Sequence, residues 1–90
     1  MADLKIKFEL KRQMRFINTK IEDLKANDPH RTATQARTIA QVGITRCHVI
    51  IETAEVLADD NIITYAEYME IFRQAQTAHN KLIELNNKIK

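Results

Sequence analysis

Ninety residues suffice for one small domain, and one Gly and one Pro leave too few turn residues for a β-sandwich or barrel, so an all-α chain is expected. An apolar fraction of 44% beside 29% charged residues and a net charge of +2 is that of a folded soluble chain rather than a strongly basic nucleic-acid binder. No apolar run nears the ~18 residues of a membrane span, the opening residues lack a secretory leader's apolar core, and a single Cys excludes an internal disulfide; a cytoplasmic protein away from membranes is expected.

In the first segment, Leu4, Ile6, Phe8 and Leu10 alternate with charged residues, which is strand periodicity. Ile6, Leu10, Met14, Ile17, Ile21 and Leu24 also form one helical stripe. A lone strand would have no partner in a helical chain, so a helix is predicted from about residue 3 to 26. The second helix is predicted over 29–58, with Asp28 as N-cap and Pro29 at the first helical position, where its missing N–H costs nothing. Ala36, Ala40, Gly43, Cys47, Ile50, Ala54 and Leu57 form one seam along it, and Ile39, Val42, Val49 and Val56 a second. Ile44 and Ile51 lie off both seams. A helix wet on one side needs one apolar stripe, so this helix must be covered by two others and, through Ile39, Val42, Gly43 and Val49, by another subunit. Asp59-Asp60-Asn61 ends it, with Asn61 suited to a left-handed conformation. The third helix, over 65–88, opens on a Thr64–Glu67 capping box, with Ile63 before the cap. Ile71, Ala75, Ala78, Leu82, Leu85 and Ile89 make its seam. The expected fold is a single domain over 1–90, an elongated antiparallel three-helix hairpin or bundle that forms homo-oligomers. Helices ~36 to 45 Å long exceed a compact chain with a radius of gyration of ~12 Å, so the domain must be a slender rod.

Chemistry is sparse in this pattern. Cys47 belongs to the apolar seam and its neighbour His48 points about 100° away, so the thiol reads as a buried structural group rather than a nucleophile. His30, His48 and His79 are too far apart in sequence for a local metal motif. Asp59, Asn61 and Glu70 imitate three places of a calcium loop, but Ile63 and Thr64 stand where a ligand and the turn Gly are required. No catalytic constellation, metal site or cofactor motif is expected, and the chain reads as a non-enzyme. Charge is uneven: residues 1–46 hold ten Lys/Arg against five Asp/Glu, and residues 47–90 four against seven. Such asymmetry means either a basic binding surface or two halves of one chain that attract each other, and a helical hairpin favours the second. Folding back near residue 28 would bring Lys11, Arg12 and Arg15 level with Thr45 and Arg46, and folding back near residue 61 would bring Arg46 and His48 level with Gln74 and Gln76. Gathered at mid-bundle, these groups would suit a phosphate; on separate faces they are solvated charges. Duplex nucleic acid is not expected, because no recognition-helix turn is present and the acidic half would repel phosphate.

The run Arg31-Thr-Ala-Thr-Gln-Ala36-Arg37-Thr38-Ile-Ala-Gln41-Val-Gly43 resembles part of a phage helical-hairpin family, the anti-CBASS and anti-Thoeris sponges, small oligomers that sequester cyclic nucleotide signals of bacterial immunity. This chain departs from the family at Thr32, where an aromatic is usual, and in its third long helix. The resemblance implies Arg31, Arg37, Thr38 and Gln41 as pocket residues and non-catalytic capture of a cyclic nucleotide between subunits. The expected function is therefore sequestration of a small phosphorylated ligand by an anti-defence-like oligomer, with Arg12, Arg15 and Arg46 as further ligand candidates. The alternative is a protein-interaction module, such as an immunity protein, chaperone or inhibitor, docking on a larger partner through apolar helix faces.

Overall fold

The computed structural model describes residues 2–26 and 28–89, with side chains from Lys5 onward, so the alternation that begins at Leu4 is tested only from Ile6. The chain forms three helices, α1 (Ala2–Ala26), α2 (Ala33–Asp59) and α3 (Tyr65–Asn87), packed as an up-down-up bundle. No strand occurs among the described residues. The helical stripe of the first segment wins over its alternation because burial rewards it: Leu10, Met14, Ile17 and Ile21 are all buried, while Phe8 is exposed.

α2 begins four residues later than Pro29, and Asp28 is not its cap. Asp28 instead builds a turn, its carbonyl accepting from Arg31 N–H at 3.1 Å and its carboxylate from His30 N–H at 2.9 Å. Asp at the first and Pro at the second position is also the preferred composition of such a turn, so the same dipeptide serves two local structures. Thr32 takes the cap: its hydroxyl accepts from Gln35 N–H at 3.1 Å, and the Gln35 side chain accepts from Thr32 N–H at 2.9 Å. This reciprocal pair satisfies two helix-end donors, whereas a cap at Asp28 would leave Thr32 mid-turn. The other end closes as expected. Asn61 has φ 60°, and Ile62 N–H donates to Leu57 O and Asn61 N–H to Ala58 O, a Schellman arrangement. Thr64 and Glu67 form the capping box that starts α3.

Ala40, Gly43, Cys47, Ile50 and Ala54 of α2 are buried, facing the stripes of α1 and of α3 (Ala75, Ala78, Leu82). Gly43 is a close-approach point within the chain: a Cβ there would stand 2.7 Å from Leu82 Cδ1. Ile44 and Ile51 pack half-buried against the same core. The rod shape is as expected, with a radius of gyration of 14.5 Å and extents of 45 × 20 × 15 Å. On the far side of α2, Val42, Val49 and Val56 stay exposed. No helix is long and apolar enough to cross a membrane among the described residues.

Candidate functional site

The expected mid-bundle cluster is divided by helix geometry. Residues two apart on a helix point about 200° apart, so Arg46 turns toward α1 and His48 toward α3. Arg46 donates to Gln13 Oε1 at 3.4 Å and lies 5.4 Å from the centroid of the Phe16 ring, and with Arg12 these residues line a cleft of about 270 Å³. Arg12 is held by Glu9 at 2.8 Å, and that bond keeps the Glu9 carboxyl below the usual range. Arg15 is exposed on α1, while Lys11 faces α3 and not Arg46. His48 meets His79 edge to face, with ring centroids 4.9 Å apart, a pairing of helices that sequence distance conceals. Gln74 lines the α1/α3 side of the bundle.

Arg31 stands at the other end of the molecule. Its guanidinium donates to the Asp23 carbonyl at 2.8 Å, tying the turn before α2 to the end of α1. It borders two clefts. One, of about 480 Å³, is lined also by His30, Thr34 and Thr38. The Thr38 hydroxyl donates to the Thr34 carbonyl at 2.9 Å. Arg37 and Gln41 are exposed on α2 and line neither cleft. The larger cleft, about 650 Å³, lies where α1 ends, α2 begins and α3 ends. Lys25, Arg31, Lys81 and Lys88 line it, against one lining carboxylate, Asp28. Its floor includes Leu24, Ala36 and Leu85, and Thr32 and Ala33 bring the N-terminus of α2 to its wall. The capping box occupies the N–H groups of Thr32 and Gln35, leaving those of Ala33 and Thr34 at the helix mouth. The first turn of α2 carries no acidic residue. Among the described residues, the three lysines hold only exposed one-turn partners: Glu22 is 3.6 Å from Lys25, and Glu84 is 3.5 Å from Lys81 and 3.3 Å from Lys88. Lys88, then Lys81, lowers the Glu84 pKa. Such pairs are worth little in water and exchange readily for a ligand phosphate.

Lys25, Lys81 and Lys88 were not legible as site residues. The signal was Lys81 and Lys88 at a seven-residue spacing on one face of α3, which acquires meaning only once α3 runs parallel to α1. Cys47 is wholly buried, and desolvation pushes its thiol up to about 11; it is a packing group. Among the described residues, no three His, Cys, Asp or Glu side chains converge as a metal site. No protein-family model matches this chain, and no curated protein or solved structure matches it.

Proposed function

We propose that the protein is a non-enzymatic, oligomeric helical binder that sequesters a small phosphorylated ligand such as a cyclic nucleotide, as the resemblance of residues 31–43 to phage sponges implies. The observation that carries this reading is the 650 Å³ end cleft, where four cationic side chains surround the start of a 27-residue helix. Phosphate oxygens would meet the Arg31 fork, the lysine ammonium groups and the free N–H groups of Ala33 and Thr34, while Leu24 and Leu85 supply apolar surface for a base. Assembly through the outer face of α2, at exposed Val42 and Val49 with half-buried Ile39 beside them, would leave this end open to ligand. Gly43 contributes within the chain rather than to that face.

Thermal melting with cyclic di- and trinucleotides tests the proposal. At ~100 times its Kd a ligand adds ~2.7 kcal/mol, a rise of roughly 10 to 20 °C for a domain of this size. Replacing Lys25 and Lys88 together by Gln should abolish most of the rise, and higher salt should reduce it. Unmoved melting with every cyclic nucleotide and with inorganic polyphosphate would refute the reading. The second reading, a protein-interaction module, draws on Val42, Val49 and Val56, a seven-residue series of exposed apolar side chains on α2. It predicts a partner whose binding is lost in Val49→Asp and kept in Lys25→Gln/Lys88→Gln.

A further inference from the structure

Two imidazoles meet where α2 and α3 pack side by side. His48, exposed on α2, and His79, half-buried on α3, have ring centroids 4.9 Å apart and ring planes at 81°. Both residues stand well inside their helices, so the backbone fixes where each side chain starts and only its torsions remain to adjust.

The spacing is that of two ligands on one ion. With metal–nitrogen bonds of ~2.0 to 2.1 Å, imidazoles sharing an ion at an angle of ~90° to ~109° hold their ring centres ~4.5 to 5.2 Å apart. Crossed planes are compatible with this, because the nitrogen lone pair lies in the ring plane and each ring can turn about its bond to the metal. The remaining adjustment is a turn about χ2, which is broad for histidine. A second observation concerns the proton. Asn80 Oδ1 accepts from the Gln76 amide at 3.1 Å and lies 3.5 Å from His79 Nδ1. A ring nitrogen set against an acceptor carries the proton, which leaves the lone pair on Nε2, and metal-binding histidines are oriented by outer partners of this kind. The local charge also suits a cation. Neither helix places a Lys or Arg three or four residues from its histidine, whereas Glu52 follows His48 by one turn on the same face of α2. Glu52 takes part in no ion pair among the described residues.

We propose that His48 and His79 form a surface site for a divalent transition-metal ion of the Ni2+, Cu2+ or Zn2+ class, bound by two imidazole nitrogens with water completing the coordination. Imidazole suits these ions, whereas Mg2+ and Ca2+ are bound through oxygen. Two protein ligands make an exchangeable site rather than a closed structural one, in keeping with the lack of a third converging His, Cys, Asp or Glu among the described residues. Cys47, next to His48 in sequence, is buried in the core and is no ligand. The site does not rest on the phosphate-ligand reading, whose cleft is lined by other residues.

Calorimetric titration of the untagged full chain with Ni2+ and with Zn2+ at neutral pH provides the test, with circular dichroism to confirm that each variant is folded. One ion should bind per chain. His48→Ala and His79→Ala should each weaken binding at least tenfold, and His30→Ala, which removes a histidine from the turn before α2, should leave it unchanged. Mg2+ should not compete. In NMR spectra of the wild type, Zn2+ should shift the ring signals of both His48 and His79 and leave those of His30 in place, a readout that depends on no variant. No binding of either ion at millimolar concentration overturns the proposal. Binding that survives the loss of either paired histidine, or Zn2+ shifts that reach only one of the two rings, also overturns it.

Discussion

At Gly43 the absent side chain sets how closely α2 and α3 pack. A Cβ would press on the side chain of Leu82, which is itself fully buried. Gly43→Leu should therefore cost ~1 to 3 kcal/mol by overpacking, visible as a lower denaturation midpoint, even though leucine favours a helix over glycine. Leu82→Ala removes the opposing side chain and should cost ~2 to 5 kcal/mol. Cys47 was legible as a core residue because it falls on the small-residue seam, and its raised pKa follows from that burial. At pH 8 almost none of it is thiolate, so a thiol reagent should label the native protein far more slowly than the urea-unfolded chain. The partner of Gly43 was not legible, since a seam of small residues says that something approaches and not which helix does so.

At the scale of the element, the caps decide where helices begin, and the two N-caps make different demands. Thr32→Ala should lower stability by ~1 kcal/mol, or roughly 4 to 8 °C in Tm, whereas Asp28→Ala should cost less because Asp28 serves the preceding turn. A thermal melt of both variants checks the order. Glu67 has a double task, capping α3 and pairing with Lys7. The bond from Lys7, then the backbone bond at Thr64, holds its pKa down to about 2 from the ordinary 4.5. A depressed carboxyl stabilises the fold fully above its unfolded pKa and ceases to do so as pH falls toward the folded one. The contribution is thus present at neutral pH and lost between pH 4.5 and about 2. Glu67→Gln keeps an oxygen for the cap but removes the charge, and Tm followed across that interval should fall less steeply in the variant than in the wild type.

For the molecule as a whole, slenderness limits the core. A bundle 45 Å long and only 15 to 20 Å across leaves each helix a wide outer face, and this one leaves the valines of α2 and the α1/α3 groove uncovered. Assembly or ligand binding would cover such faces, and each would raise Tm with concentration. Melting at 5 and 200 µM should therefore differ in the wild type. The difference should shrink in Val49→Lys if the outer face supplies the contact.

The number of helices, their seams, the left-handed Asn61 and the Thr64 cap were determined by the sequence itself, because each depends on residues within one or two turns of one another. The start of α2 was misplaced within that same range: Asp28-Pro29 fits a cap and a turn equally, and the local Thr32–Gln35 capping box, which was passed over, sets the start. Every grouping across helices was left to the tertiary structure. Arg46 and His48 are neighbours in sequence yet face different helices, while Lys25, Arg31, Lys81 and Lys88 come from three separate segments to line one cleft. The reason is rotational: each residue turns a helix by about 100°, and the phase at which three such cylinders meet is set by how all three seams pack together, not by any one of them.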